Sequence, residues 1–136
     1  MWYQQWLPNV LKQKKKNKKK IRLLGTGKPL REFIHSDDLA DAILFCLKLK
    51  KIDIFKIFKS NLPIMNVGTK DEITIKSLSE LIRKYVKFDG VIEFDKNYPD
   101  GTLRKNLDKK KIRSLGWFPK IKFKEGLREV IKSRTG

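Results

Sequence analysis

A strand-forming run that breaks at Gly25-Thr26-Gly27-Lys28-Pro29, resumes as Leu30-Arg31-Glu32-Phe33-Ile34-His35 and enters Ser36-Asp37-Asp38 leaves this chain few ways to fold. Two glycines and a proline so close together bar both a helix and an unbroken strand, so a turn is required. Alternation beyond it puts Arg31, Phe33 and His35 on one face and Glu32 and Ile34 on the other. Ser36 is the predicted N-cap of the next helix, with Asp37 and Asp38 as capping carboxylates at its positive end. That helix is expected to run to about Leu49, where Lys48, Lys50 and Lys51 suit the negative pole. An arginine on a short strand beside a glycine turn is placed to fork onto a phosphate; a carboxylate on the strand surface is the plainer alternative partner. His35, with neither a second ligand nor a nucleophile beside it, reads as structural.

The rest of the pattern is α/β: short strands with about four to five helices. A short helix is expected over residues 7–14, with Pro8 in its first turn, and a strand over Ile21–Leu24. Residues 50–62 show no period. Met65–Val67 reads as a strand ending at Gly68. Leu78, Leu81, Ile82, Tyr85 and Val86 then follow helical spacing from a start at Thr74 or Ser77, the latter forming a capping box with Glu80. Val91–Phe94 reads as a strand, Asp108 as the cap of a helix that stops at Gly116, and Phe123–Ile131 as a final helix. Residues 1–20 read as a basic helix/loop segment and residues 21–136 as one domain without internal repeats.

Composition narrows the class. The chain has 136 residues, 40% of them hydrophobic, enough for a modest core. Its one cysteine, Cys46, lies in the apolar run from Ala42 to Leu47 and reads as a buried small hydrophobe. A lone cysteine excludes an internal disulfide framework and points to a reducing, cytoplasmic setting. No apolar run reaches membrane-spanning length, no secretory leader is evident, and no residue cluster has metal-ligand spacing. The formal charge of +18 owes much to the lysines between Lys12 and Lys20. Alone, that block suggests a polyanion or nucleic-acid surface. Without interleaved aromatic residues it lacks a stacking platform, and a solvated loop is the favoured reading.

The stretch from Gly25 to Ala42 resembles the diphosphate-holding segment of extended short-chain dehydrogenase/reductases in the NAD-dependent epimerase/dehydratase superfamily, and most closely that of GDP-L-fucose synthases. Tyr98-Pro99-Asp100-Gly101-Thr102-Leu103-Arg104-Lys105-Asn106-Leu107-Asp108 is similar to a second loop of that family. Met65-Asn66-Val67-Gly68-Thr69 and Leu115-Gly116-Trp117 follow the same pattern in the same order. The resemblance implies that Arg31 binds the diphosphate, that Asp100 hydrogen-bonds the sugar-nucleotide and that Lys105 attracts its phosphates. Read without it, Asp100 and Lys105 are solvated loop residues. Leu24 stands where these enzymes place a substrate-contacting tryptophan, Gln13 falls nearest to an expected upstream arginine, and Leu103 replaces a common proline.

The family's glycine-rich loop and its tyrosine followed four residues later by lysine have no match here. The expectation is therefore the C-terminal substrate-binding portion of such an enzyme, lacking its Rossmann half and begun at an internal start or a truncation. The resemblance implies a GDP-sugar substrate, NADP(H) held by the other half, a separate N-terminal dinucleotide-binding partner and a homodimer in the intact enzyme. The isolated chain is expected to be inactive. Two rival readings are another nucleotide-sugar epimerase or dehydratase and a basic nucleic-acid-binding protein.

Overall fold

The strand Lys20–Leu24 (β1) takes its partner from far downstream in the sequence, so the folding unit around it is built from separate stretches of chain. These relations come from a computed structural model that describes residues 10–12, 14, 16, 18–53 and 64–135. After β1 come Leu30–Glu32 (β2), helix Ser36–Leu47 (α1), Glu72–Thr74 (β3), helix Ile75–Tyr85 (α2), Val91–Asp95 (β4), helix Lys110–Ser114 (α3) and helix Phe123–Thr135 (α4). Short strands and amphipathic helices make this an α/β fold, as the sequence pattern predicts. The chain divides into two compact units: Met1–Arg31, Glu72–Lys105 and Leu127–Gly136 form the first, Glu32–Asp71 and Asn106–Gly126 the second.

In the first unit, β1 and β4 pair in parallel from Lys20↔Val91 to Leu24↔Asp95. A parallel pair needs a long crossover between its strands, and the chain between β1 and β4 supplies α2. That helix buries Leu78 and Ile82, and Val86 and Phe88 just beyond it are buried as well. Thr74 caps it, its side chain accepting from the Ser77 amide at 3.0 Å, so the alternative start at Ser77 is not used. At the other end Lys87 adopts φ 52°, Phe88 N–H donates to the Arg83 carbonyl and Lys87 N–H to that of Lys84. This is a Schellman closure built on a lysine where glycine is usual. Strands β2 and β3 form a second pair; β3 has no counterpart in the sequence expectations.

In the second unit, Ala42, Ile112 and Trp117 form a buried cluster against which Ile34, Phe45, Cys46, Met65 and Val67 pack. Burial pushes the Cys46 thiol pKa up, as suits a packed rather than reactive cysteine. Helix α3 ends where expected: Gly116 takes φ 94°, its N–H donates to the Arg113 carbonyl, and Trp117 N–H donates to that of Ile112.

Several local expectations give way to tertiary contacts. The cap of α1 is His35, whose Nδ1 accepts from the Asp37 amide at 3.3 Å, rather than Ser36. Asp38 is no helix cap: it is 2% exposed and accepts from the backbone amides of Lys120 and Ile121 at 2.9 and 3.0 Å. The helix closes at Leu47 with Lys48 as its cap, short of Leu49. Strand β2 stops at Glu32, so the alternation does not reach His35; Phe33 instead stacks on Phe123 at 5.5 Å. Residues 65–67 form no ladder among the described residues, although Met65 and Val67 reach the core. Asp108 accepts from the Lys110 amide at 3.0 Å, yet the cap position of α3 belongs to Lys109. Lys109 is itself buried and paired with Glu32 at 2.5 Å. Residues 10–12 and 14 are helical, as are 51–53; the remainder of the expected 7–14 helix and residues 54–63 lie outside the described residues.

Candidate functional site

Four of the residues singled out in the sequence fall in the first unit, around one turn and one loop. Strand β1 delivers Leu24, which is 64% exposed, into the turn Gly25–Pro29. Each step of that turn is tied down. Gly25 N–H donates to the Asp95 carbonyl at 2.9 Å, and the carbonyls of Gly27 and Pro29 accept from the first amides of α2, those of Lys76 and Ile75, at 2.9 and 3.0 Å. Gly25 must be glycine for two reasons. Its φ is 86°, and a Cβ there would stand 2.4 Å from Asp100 Oδ1.

The close approach exists because Asp100 reaches back across the turn. Its Oδ1 accepts from the Thr26 amide at 2.8 Å, and its Oδ2 accepts from the Thr26 hydroxyl. The Thr26 hydroxyl, then the Thr26 amide and the nearby charge of Lys28, hold the Asp100 pKa below the usual carboxylate range. Asp100 thus joins the turn to the loop from Tyr98 to Lys105. The loop's other end is held by Arg104, which forks onto Glu72 of β3 with Nη2 2.5 Å from Oε2 and Nε 3.0 Å from both carboxylate oxygens. That contact pushes the Arg104 pKa up. Between the anchors, Leu30 N–H donates to the Leu103 carbonyl at 2.8 Å, and Leu30 bridges Arg104 in parallel.

Arg31 sits inside this frame, half-buried. Its Nη1 donates to the carbonyls of Leu30 at 2.6 Å and Thr102 at 2.8 Å. Among the described residues no carboxylate pairs with it, so the plainer reading of a surface ion pair is not what the structure shows. Its Nη2 lies beside Gly101, 3.8 Å from where a Cβ would stand. The guanidinium is therefore oriented by neutral carbonyls while its net charge is left for something else. A half-buried cation so arranged is suited to an anion with paired oxygens. Lys105 is exposed at the end of the same loop.

The structure brings Arg31 and Asp100 to one loop–turn pair and places Leu24 immediately before that turn. The second unit holds His35, whose ring lies against Gly126. Sequence reasoning missed Thr26 and Arg104. Thr26 carried a faint signal, a hydroxyl between two glycines; Arg104 carried none, because its partner Glu72 lies in a strand that the sequence does not announce. Among the described residues, no group of three His, Cys, Asp or Glu side chains could hold a metal, and no helix is long and apolar enough to cross a membrane.

Residues 3–59 match the NAD dependent epimerase/dehydratase family. A GDP-L-fucose synthase of Arabidopsis thaliana is 45% identical over 106 residues, covering 78% of this chain and 30% of that protein. The GDP-L-fucose synthase of Escherichia coli is 39% identical over 103 residues, covering 76% and 32%. Among solved structures, a GDP-mannoheptose C4 reductase from Campylobacter jejuni with NADP bound superposes with a TM-score of 0.76 at 32% identity, covering 96% of this chain and 44% of that one. The chain spans about a third of the length of its curated relatives.

Proposed function

The chain belongs to the NAD-dependent epimerase/dehydratase family, and on that premise we propose that its first unit holds the diphosphate of a GDP-sugar through Arg31. One observation carries this reading: a half-buried guanidinium oriented by the Leu30 and Thr102 carbonyls, with no carboxylate paired to it among the described residues. The three relatives described above are named for GDP-sugars that differ in the sugar, fucose in two and a heptose in the third, while a more distant relative from Methanocaldococcus jannaschii is named as a UDP-glucose 4-epimerase. The guanosine diphosphate portion is accordingly what the site is proposed to recognise, with Asp100 and Lys105 as further contacts. Leu24, exposed at the end of β1, offers an apolar surface there but neither the aromatic stacking nor the N–H donor of a tryptophan.

The fuller activity proposed for an enzyme containing this chain is that of GDP-L-fucose synthases, epimerisation and NADPH-dependent reduction of GDP-4-keto-6-deoxymannose. Within that activity these residues bind and orient, a positioning role for a reaction whose acid, base and hydride donor lie elsewhere. The Gly25–Pro29 turn does not fit NADP(H). A diphosphate cradle needs free backbone amides, whereas the Gly25, Thr26 and Lys28 amides already donate to Asp95, Asp100 and the Thr26 hydroxyl. The chain by itself is proposed not to turn over a keto-sugar.

The test is calorimetric titration of GDP into the chain. Arg31→Ala should weaken binding by about 1.5–3 kcal/mol, roughly ten- to a hundredfold, as expected for a charge-assisted contact. Arg31→Lys should lose nearly as much, because an ammonium cannot present two parallel donors. Replacing Lys16, Lys18 and Lys19 together should cost less, and that cost should fade with added salt. A larger loss from the lysine set than from Arg31→Lys would overturn the assignment and favour a basic polyanion surface.

A further inference from the structure

Arg31 would be of little use to a ligand if its guanidinium wandered. Its Nη1 is held by the carbonyl of Thr102, a residue in an exposed loop. An exposed loop without fixed ends would let that carbonyl move, and the arginine with it. This loop has fixed ends: Asp100 is tied to Thr26 on one side of Thr102, and Arg104 is forked onto Glu72 on the other. The Leu30 amide fastens the middle through Leu103.

From this we infer that Thr26 is a positioning residue for the anion site: by clamping Asp100 it fixes the loop whose Thr102 carbonyl aims the Arg31 guanidinium. The inference rests on the reading of Arg31 given above. Thr26 touches no ligand in this scheme. It acts through Asp100, the loop backbone and Arg31 in turn. The geometry supports a specific requirement for threonine or serine at this position. The backbone amide of Thr26 would reach Asp100 Oδ1 with any side chain, but only a hydroxyl can donate to Oδ2. The glycines on either side match that demand. Gly25 takes φ 86° and leaves room for the carboxylate, and a Cβ on Gly27 would stand 2.6 Å from the Phe94 ring. The turn is shaped to present one hydroxyl to one carboxylate.

Two measurements on the full chain separate this clamp from the anion-site reading. The first, without ligand, is amide hydrogen exchange at Leu30, whose N–H is bonded to the loop. Thr26→Val should speed it by about tenfold or more, the loss of a hydrogen-bonded anchor, while Phe88 at the far end of α2 is unchanged. Thr26→Ser should leave both as they are. The second is GDP titration in a double-mutant cycle. Thr26→Val should weaken GDP about tenfold, Thr26→Ser less than about twofold, and Thr26→Val in an Arg31→Ala background should cost markedly less than in the unaltered chain, because most of its effect passes through Arg31. Unchanged protection of Leu30, or an equal loss from Thr26→Val with and without Arg31, would overturn the inference. GDP binding indifferent to Arg31→Ala would instead remove the anion-site reading, with Leu30 exchange still deciding whether the clamp exists. Thr26→Ala serves for the same comparisons where Thr26→Val does not fold.

Discussion

Gly25→Ala should be among the most damaging small substitutions in the first unit, and its magnitude can be worked from two separate terms. The backbone term comes from φ 86°. An L-residue in the left-handed region costs roughly 1–2 kcal/mol. The second term is steric: the new methyl would stand 2.4 Å from Asp100 Oδ1 and 3.5 Å from its Cγ. Forcing a methyl into a filled site costs roughly 1–3 kcal/mol. Against these, alanine narrows the unfolded ensemble and returns about 0.4–1 kcal/mol. The expected net loss is about 1–4.5 kcal/mol, read from urea unfolding followed by far-ultraviolet circular dichroism. Asp100→Ala removes the atoms in the way. In a cycle of Gly25→Ala with Asp100→Ala the double variant should therefore be more stable than the sum of the singles predicts, by about 1–3 kcal/mol, the steric term alone. Gly101→Ala is the control in the same loop. Its φ is not positive and a Cβ there meets only Arg31 Nη2 at 3.8 Å, so it should be neutral or stabilising by up to about 1 kcal/mol. Strict additivity in the cycle, or a Gly25→Ala loss below about 1 kcal/mol, would refute this account of the turn.

Three further outcomes follow from other features. Lys87→Gly should stabilise the first unit by roughly 0.5–1 kcal/mol, since a lysine at φ 52° closes α2 where glycine meets no strain; an unchanged urea midpoint would count against it. Asp38→Asn should destabilise the second unit by about 1–3 kcal/mol, because an amide NH₂ cannot accept and one of the Lys120 and Ile121 amides loses its partner; the same denaturation measures it. The carboxyl pKa values of Asp41 and Asp100 lie below the ordinary 3.8, the first chiefly through the Trp117 indole and then Lys120, the second chiefly through Thr26. Depressed carboxylates contribute stability that is fully present above the unfolded value and lost as pH falls through the folded one. Stability from these two groups should hold down to about pH 5 and fall below about pH 4, and in Thr26→Val the Asp100 titration, followed by carboxyl carbon NMR, should move up toward 3.8.

What could be read from sequence here, and what could not, divides along the reach of the interactions. Helix α2 and the Gly116 closure of α3 depend on residues a few positions apart, and their pattern is visible in the chain itself. The turn at Gly25 was visible for the same reason. The cap of α1 falls one residue before the expected serine: serine outranks histidine as a cap in general, whereas here the His35 backbone is extended and its ring nitrogen meets the Asp37 amide. Met65–Val67 has the composition of a strand, but ladder pairing depends on a neighbour and composition does not supply one. The site divides similarly. Arg31 and Asp100 stood out through resemblance to a known loop pattern, yet nothing local in the chain told how either is held. Thr26 meets Asp100 and Arg104 meets Glu72 across 74 and 32 residues of sequence. In both pairs the partner, rather than the residue type, sets the role. A threonine between glycines is an ordinary turn residue until a carboxylate arrives opposite its hydroxyl, and an arginine beside a lysine is one more surface charge until a buried-side glutamate fixes it. Residues that bind can be found by type and motif; residues that aim them are found only through the contacts they make.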